Sequence, residues 1–405
     1  MFDKADRLKV LHVIPSVAAC RGGPSKAVVE MVLSLRTLGI DAEIATTNDN
    51  GPNNLEVSLN SLIDHSGVPV RFFERASPPI AAIREFSYSL SFTRWLSRHI
   101  SDYDVVHVHA IFSYCSSYAM YLARKKGIPY VVRPIGQLQN WSLQQARTKK
   151  KLYLQVLEKA NIESASAVHF TADAEQREAN LKFNLLGHVI PLGIDIPAPA
   201  TLSKQQLFDH LAIAESSSAI TVLYLSRLHQ KKGLELLMQA LSNIKDSDYS
   251  LFIAGDGDDA YKSKLGALSH LLKIADKCIF LGHVDGHIKT ALFSHSDLYA
   301  LTSYSENFGI SVLESMAAGL TPIITDGVAL SNIVGKNKLG YVCTADVDAI
   351  EATLRSAFAN RKELTTMGEK ARGYTQANYS WSSIAKQLES LYLSIIVADK
   401  PVESA

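Results

Sequence analysis

Short apolar runs alternate with longer stretches of helical period along the whole chain. The apolar run LKVLHVIP at 8–15 is followed by residues 24–38, where apolar positions recur at helical spacing and stop at Gly39. Such alternation predicts βα units and parallel sheets, with a helix that ends at the glycine. Further strands of the first half are predicted at 41–47, 68–74, 104–109, 129–134, 166–171 and 188–192.

The same pattern starts again after a break marked by Pro191, Pro197 and Pro199. The new runs are almost continuously apolar, which suits strands of a sheet buried on both faces. We therefore predict an α/β protein with two doubly wound parallel sheets, each the core of a Rossmann-like domain. The strands of the second half are predicted at 221–228, 250–257, 277–284, 297–303, 321–327 and 340–343.

Composition narrows the class of protein. A chain of 405 residues favours two domains, and a net charge of +1 gives no global attraction to nucleic acid. The four cysteines are scattered, which is typical of a reducing compartment. The N-terminus lacks the pattern of a signal peptide, and no run of about 18 apolar residues occurs. A cytoplasmic protein is predicted.

One segment, residues 121–160, is strongly basic. Two interpretations are open: a solvated helix face, or a surface that meets anionic membrane lipid or a phosphorylated acceptor. The second would place the protein peripherally at the inner face of the cytoplasmic membrane. Against one acid, Glu158, the segment carries Arg124, Lys125, Lys126, Arg133, Arg147, Lys149, Lys150, Lys151 and Lys159.

Ligands of doubly wound sheets bind beyond the carboxyl ends of the strands, so the residues there are the candidate site. The first strand leads to Gly22 and Gly23, which precede a helix and allow a phosphate or sugar to approach the backbone. The first strand of the second half leads to Arg227 and Lys232, whose charges suit a diphosphate. The alternatives are an ordinary glycine turn and two solvated cations.

The segment from Glu306 to Glu314 is the most specific element. A helix is predicted to begin near Phe308 and to end at Gly319. Its first N–H groups form an anion site, Glu306 can accept hydrogen bonds from sugar hydroxyls, and Glu314 can reach a ribose diol. The alternative is an acid that stabilises the helix dipole, together with a solvated glutamate.

These motifs resemble family 4 of the retaining glycosyltransferases, which have the two-domain fold called GT-B. The resemblance covers nearly the whole chain in order. Its hallmark is the pair of glutamates in E306-NFGISVL-E314. The other matching segments are Gly22-Gly23, His107-Val108-His109, Ser226-Arg227-Leu228, Lys232-Gly233, Gly255-Asp256-Gly257 and Phe280-Leu281-Gly282-His283-Val284.

The resemblance implies transfer of a sugar from a nucleotide sugar to an acceptor hydroxyl, with retention of configuration. It implies an acceptor-binding domain at 1–200, a donor-binding domain at 201–379, and a final helix, about 380–405, that crosses back to the first domain. The acceptor would be a saccharide or a lipid-linked molecule, as in polysaccharide, lipopolysaccharide or glycolipid synthesis. Two alternatives stay open: a nucleotide-sugar epimerase of the same fold, and a non-catalytic partner subunit.

Roles for individual residues also follow from the resemblance. Gly22 and Gly23 would approach the donor phosphates, and His109 would lie at the reactive carbon of the sugar. Arg227 and Lys232 would hold the diphosphate, and His283 and Val284 would contact the base. Glu306 would bind sugar hydroxyls and Glu314 the ribose. The loop residues Asn307, Phe308, Gly309 and Ile310 would complete the donor site, with amides that hold the distal phosphate.

No metal or cofactor is predicted. Asp256 and Asp258 spell the D-x-D of metal-dependent transferases, but here they follow a strand and match the Gly-Asp-Gly of the family. The cations Arg227 and Lys232 can neutralise the diphosphate without a metal. His12, inside the first strand, is interpreted as a packed core histidine.

Overall fold

The computed structural model describes residues 7–78, 84–139, 153–211, 219–306 and 308–399. Contacts divide the chain into two units. The N-terminal unit comprises Met1–Gly193 with Trp381–Ala405, and the C-terminal unit comprises Ile194–Ser380. Each contains a largely or wholly parallel sheet with helical connections, so the predicted class of two Rossmann-like α/β halves is confirmed.

The N-terminal unit is built on an eight-stranded sheet with the order β10-β9-β8-β7-β1-β2-β6-β5. Every neighbouring pair is parallel except β5 and β6. The strands of the unit are β1 Lys9–Val13, β2 Asp41–Thr47, β3 Asp49–Asn50, β4 Asn53–Asn54, β5 Leu62–His65, β6 Val68–Phe73, β7 Val105–His109, β8 Tyr130–Arg133, β9 Ala167–Phe170 and β10 Gly187–Val189. β3 and β4 form a separate two-stranded antiparallel sheet. The helices are α1 Gly23–Thr37, α2 Leu90–His99, α3 Tyr114–Lys126, α4 Lys159–Glu163 and α5 Asp173–Asn180.

The C-terminal unit has a six-stranded, wholly parallel sheet with the order β13-β12-β11-β14-β15-β16. Counted within the unit this is 3-2-1-4-5-6, the order of dinucleotide-binding folds. The strands are β11 Ile220–Leu225, β12 Tyr249–Ala254, β13 Cys278–Gly282, β14 Leu298–Leu301, β15 Thr321–Thr325 and β16 Tyr341–Cys343. The helices are α6 Lys204–His210, α7 Leu234–Asn243, α8 Asp259–Leu271, α9 Gly286–His295, α10 Ile310–Ala318, α11 Ser331–Lys336, α12 Val347–Ala359 and α13 Arg361–Asn378.

The last helix, α14 Trp381–Asp399, belongs to the N-terminal unit and packs against α1. Its apolar side chains recur at helical spacing and are buried, among them Ile384, Leu388 and Ile395. The chain passes Trp381 at Gly193, where any Cβ would overlap the indole ring. Within the described ranges, none of the helices has both the length and the apolar character that a bilayer span requires.

The predicted strands are found at nearly the predicted positions. Most of them are largely buried, which gives them a strong apolar signal. Three strands were missed. β3 and β4 have two residues each, too few to show a period, and β5 is an edge strand with no buried side chain. The helix predicted from Phe308 begins instead at Ile310, since Gly309 caps it with a φ of 86°.

Candidate functional site

In the C-terminal unit, the predicted donor residues follow the two strands at which the strand order reverses. β11 and β14 are neighbours in the sheet, and their connections run to opposite sides. The loop after β11 carries Arg227 and Lys232, and the loop after β14 carries Glu306. The topology therefore brings these residues to the crevice where doubly wound sheets bind nucleotides.

Lys232 and Glu306 are in direct contact through Nζ and Oε2, and both side chains are largely buried. Burial, with the positive charges of Arg227 and Lys231 nearby, lowers the pKa of Lys232 to about 7. The carboxylate of Glu306 opposes that shift because it stabilises the charged amine. A group that titrates near neutrality at a crevice is a candidate for function.

Close packing of backbone against backbone holds these two loops together. A Cβ at Gly233 would overlap the carbonyl oxygen of Thr302, and Gly233 has a φ of 63°. The hydroxyl of Thr302 donates to the Gly233 carbonyl at 2.7 Å. Gly233 must therefore be a glycine, because its backbone lies against the loop after β14. This contact between the two loops brings Lys232 beside Glu306.

The helix α10 presents its N-terminus at the end of the same loop. Val312 and Leu313 donate the first bonds of the helix to the Gly309 carbonyl, so the amides of Ile310 and Ser311 lie ahead of them. Phe308 is buried. Amides at a helix N-terminus bind anions, as expected here for a phosphate. Asn307 lies outside the described residues.

Glu314 lies on α10, and its Oε1 accepts a hydrogen bond from Nζ of Lys289 on α9 at 2.7 Å. The two side chains are 17% and 27% exposed. Sequence reasoning missed Lys289, because a single lysine in an ordinary helix carries no signal. The contact depends on the packing of two helices 25 residues apart in sequence.

Arg227 is exposed and lines a cavity of about 250 Å³ beside the loop after β12. Gly257 and Tyr261 also line it. His283 and Val284 follow β13, the edge strand of the same sheet, and the side chain of His283 is 75% exposed. Gly282 and His283 are exposed, and Val284 is half-buried.

Both aspartates of the D-x-D segment have structural partners. Asp258 caps α8 by accepting from the amides of Ala260 and Tyr261. Asp256 accepts from Lys262 at 2.8 Å and from the amide of Gly257. Their positions are therefore explained by a helix cap and a surface ion pair.

In the N-terminal unit the strand order reverses between β1 and β7. Gly22 and Gly23 lie at the start of α1, and His109 is the last residue of β7. Gly22 has a φ of 75° and faces open space, and Gly23 is the first residue of α1. The preceding residue, Arg21, is fixed by two bonds to the buried carboxylate of Asp49, at 2.7 and 2.9 Å. The glycine loop is thereby anchored to the body of the unit.

His109 is fully buried, and both its ring nitrogens are engaged within the unit. Arg133 can only donate, so Nδ1 of His109 accepts from it at 3.3 Å. Nε2 of His109 then donates to Nδ1 of His12 at 2.9 Å, which leaves the proton of His12 on Nε2. His12 is buried, as predicted, and its Nε2 has no partner among the described residues.

A second chain of hydrogen bonds runs from the Ile190 carbonyl through two histidines to Tyr392 on α14. Nε2 of His169 meets the carbonyl of Ile190 at 2.7 Å and must donate to it, so Nδ1 of His169 accepts from Nε2 of His107 at 3.3 Å. Nδ1 of His107 then accepts from the hydroxyl of Tyr392 at 2.7 Å. Every hydrogen bond is satisfied when both imidazoles are neutral. Sequence reasoning missed His169, Arg133 and Tyr392.

Burial is the main cause of a lowered pKa for all four histidines. The pKa values of His12 and His169 fall to about 3, and those of His107 and His109 fall well below 6.5. Ring nitrogens of His12, His107 and His109 lie within 4.8 Å of one another, a spacing that a metal ion could use. The hydrogen bonds above account for the cluster, and the adjoining guanidinium of Arg133 disfavours a cation.

The basic segment 121–160 is divided by the structure. Arg133 is fully buried at the end of β8, so the prediction that included it in a solvated or lipid-facing surface is wrong; its side chain points into the histidine cluster. Residues 124–126 form the exposed last turn of α3. Arg147, Lys149, Lys150 and Lys151 lie outside the described residues.

Two family models match consecutive parts of the chain. Residues 22–193 match the glycosyl transferase 4-like domain, and residues 208–374 match the glycosyl transferases of group 1. These ranges are nearly the two units of the structure. Fold and family models together define a two-domain glycosyltransferase of the GT-B type, whose C-terminal part matches the group 1 glycosyl transferases and whose N-terminal part matches the glycosyl transferase 4-like domain.

Known relatives agree with this family. The chain is 29% identical to a phosphatidyl-myo-inositol mannosyltransferase of Mycobacterium leprae over 46% of this chain and 49% of that protein, so the match spans about half of each. It is 23% identical to the GDP-mannose:cellobiosyl-diphosphopolyprenol alpha-mannosyltransferase of Komagataeibacter xylinus over 96% and 94%. The fold resembles the sucrose-phosphate synthase of Thermosynechococcus elongatus, with a TM-score of 0.78, 19% identity, and coverage of 97% and 100%.

Proposed function

We propose that the protein transfers a hexose from a nucleoside diphosphate sugar to an acceptor hydroxyl, with retention of anomeric configuration. The observation that carries the proposal is the cluster of Arg227, Lys232, Glu306 and the α10 N-terminus at the strand-order reversal of the C-terminal unit. Two cations and a helix N-terminus suit a diphosphate, and an adjacent carboxylate suits sugar hydroxyls.

The reaction breaks the bond between the anomeric carbon and the diphosphate. Negative charge grows on the departing diphosphate while the sugar gains oxocarbenium character. Arg227, Lys232 and the amides at the start of α10 therefore act more strongly on the transition state than on the bound donor. The diphosphate can take the proton of the acceptor as the acceptor attacks on the face that the diphosphate leaves.

The Lys232–Glu306 contact gives a physical reason for coupling between phosphate and sugar recognition. When phosphate oxygens approach Nζ of Lys232, they compete with Oε2 of Glu306 for the same protons. The carboxylate is then available to sugar hydroxyls. Donor binding would thus exchange one ion pair for two substrate contacts.

The N-terminal unit is proposed to bind the acceptor, with Gly22 and Gly23 near the donor phosphates and His109 near the sugar. The buried imidazole of His109 has no free nitrogen in this structure. Any contact of its side chain with the sugar would require one of those bonds to exchange. Roles for His283 and Val284 at the base rest on the exposed loop after β13.

We propose that no metal is needed for this chemistry. The aspartates that spell D-x-D are engaged as a helix cap and in an ion pair with Lys262, and cations of the chain itself can neutralise the diphosphate. The proposal predicts that a chelator such as EDTA leaves the rate unchanged.

The acceptor is proposed to be a saccharide or a lipid-linked saccharide, in polysaccharide or glycolipid synthesis at the inner face of the cytoplasmic membrane. Two relatives support this class by name, since one acts on a phosphatidylinositol and the other on a diphosphopolyprenol-linked disaccharide. Residues 124–126 supply exposed positive charge of the kind that attracts anionic lipid.

The test starts with a panel of UDP, GDP and ADP sugars screened by thermal shift, because a ligand that binds the folded state raises Tm. Steady-state kinetics with the identified donor then compare the wild type with Arg227→Ala. Loss of one preorganised charge is expected to cost about 2.7–4 kcal/mol, or roughly a hundred- to thousandfold in kcat. Lys262→Ala, which alters a half-exposed lysine of the same unit, is the matched control.

Arg227→Ala with the turnover of the wild type would contradict the proposed site, and complete loss of activity with EDTA would contradict the proposed mechanism. The alternatives separate in the same assay. An epimerase would convert the donor to another nucleotide sugar with no acceptor present. A non-catalytic subunit would bind the donor and turn over none.

A further inference from the structure

Each glutamate of the E-x7-E segment is in contact with a lysine from a different element. Glu306 meets Lys232, and Glu314 meets Lys289. Lys232 belongs to the phosphate-binding loop proposed above. Lys289 lies outside that loop, on α9, and no role in donor binding has been given to it so far.

Lys289 is held from two sides. It lies in the first turn of α9, with its amide bonded to the carbonyl of Asp285 at 3.1 Å and its Nζ 5.9 Å from the ring centroid of Phe293. Nζ then reaches Oε1 of Glu314 at 2.7 Å. The amine thus lies between the Phe293 ring and Glu314, and its bond to Oε1 restricts the carboxylate.

The second oxygen of Glu314 is the one that remains for a ligand. Oε2 has no hydrogen-bond partner among the described residues, whereas Oε1 is bonded to Lys289. A free glutamate rotates about its terminal torsion and must lose that freedom when it binds a diol. A glutamate already held through one oxygen presents the other in a fixed direction.

We propose that Lys289 is a positioning residue for the nucleotide ribose: it fixes Glu314 through Oε1 so that Oε2 accepts a hydrogen bond from a ribose hydroxyl. The inference rests on the proposed function, in which Glu314 binds ribose. Because the ribose is remote from the bond that breaks, Lys289 acts on donor affinity and leaves turnover at saturating donor unchanged.

The experiment measures Kd by calorimetry for UDP, GDP and ADP and for their 2′,3′-dideoxy forms. The proteins are the wild type, Lys289→Gln and Lys289→Arg, with Lys264→Gln as the matched control, since Lys264 is an exposed lysine of the same unit that pairs with Glu235. For the nucleotide that binds best, Lys289→Gln should weaken the ribose form roughly tenfold. The dideoxy form should be unaffected, and Lys289→Arg should restore most of the loss.

Three outcomes would contradict the inference. Unchanged affinity in Lys289→Gln would mean that the pair does not position Glu314. Equal losses for the ribose and dideoxy forms would mean that Lys289 acts on the phosphates or on folding. A large fall in kcat for Lys289→Gln, measured in the steady-state assay with the identified donor, would place Lys289 at the reacting atoms. If the wild type bound none of the six nucleotides, the proposed function itself would fail, which is distinct from these three results.

A double-mutant test covers the case in which Lys289→Gln folds poorly. In a Glu314→Gln background, Lys289→Gln should cause no further loss of affinity, because the group it positions is already altered. Additive losses in the double variant would overturn the proposal.

Discussion

Acid should destabilise the N-terminal unit through its four buried histidines. His12, His107, His109 and His169 are neutral in the fold, because burial lowers the pKa of each below its usual value near 6.5. In the unfolded chain each imidazole takes up a proton as pH falls through about 6.5. The unfolded state then binds more protons than the folded state, so stability is present above pH 6.5 and is lost below it.

The magnitude follows from the pKa values. Between pH 7.5 and 5.5 each such histidine costs about 1.4 kcal/mol, because one pH unit below the unfolded pKa is worth 1.36 kcal/mol. Four histidines give an upper value of about 5 kcal/mol, comparable with the whole stability of a typical domain. Burial raises the pKa values of two carboxyls, Glu158 and Glu175, so they bind protons more tightly in the folded state than in the unfolded state. Their protonation at low pH therefore offsets part of the loss of stability caused by the histidines. Arg133 has a pKa of about 10 and stays charged throughout.

The contribution of one histidine to the pH dependence of stability can be measured with a single variant. Among the described residues, the His12 ring has one hydrogen bond, to His109. His12→Asn removes that ring, so the difference in unfolding free energy between pH 7.5 and 5.5 should shrink by about 1.4 kcal/mol. Urea unfolding followed by tryptophan emission measures it, because all three tryptophans, at 95, 141 and 381, fall within the ranges of the N-terminal unit.

His99→Gln is the matched control, since it alters a half-exposed imidazole of the same unit. It shows how the loss of an imidazole outside the buried cluster affects the same measurement. An unchanged pH dependence in His12→Asn would refute the reasoning, because it would mean that the His12 ring has the same proton affinity in the folded and unfolded states.

Three further predictions concern other charged groups. If the charged amine of Lys232 binds phosphate, kcat/KM should fall as pH rises through about 7, and Lys232→Arg should move that fall to higher pH because a guanidinium keeps its proton. Asp49→Asn should destabilise the N-terminal unit by about 3 kcal/mol in urea unfolding, because the buried Arg75 loses its carboxylate partner. A loss below about 1 kcal/mol would show that the carbonyl partners of Arg75 are sufficient. If residues 124–126 attract anionic lipid, sedimentation with vesicles should require acidic lipid and weaken steeply with salt. A variant with Gln at all three positions should bind less. Binding that is independent of lipid charge and of salt would contradict this role of residues 124–126.

The architecture was predictable because it rests on burial that the sequence displays directly. Strands covered on both faces must be apolar throughout, so runs such as TVLYL and SLFIA appear in the sequence and form β11 and β12. The loops after β11 and β14 were found for a related reason, since ligands of such sheets bind at strand ends. Gly233 and Gly309 marked the same loops. In the structure Gly233 has a positive φ and lies close to the backbone of Thr302, and Gly309 has a positive φ.

Only the tertiary structure decided which polar side chains meet. Lys289 and Glu314 lie on separate helices, and the partners of His107 come from β9 and from the last helix, 285 residues away. No local pattern reports such pairs, because hydrophobic periodicity records which face of an element is buried but not which element covers it. Arg133 is an example of this limit. Its charge predicted a surface position, but Arg133 is buried because it pairs with His109 in the neighbouring strand of the sheet. Sequence by itself determined the sheets and the loops that end them, and packing determined the hydrogen bonds of the groups those loops carry.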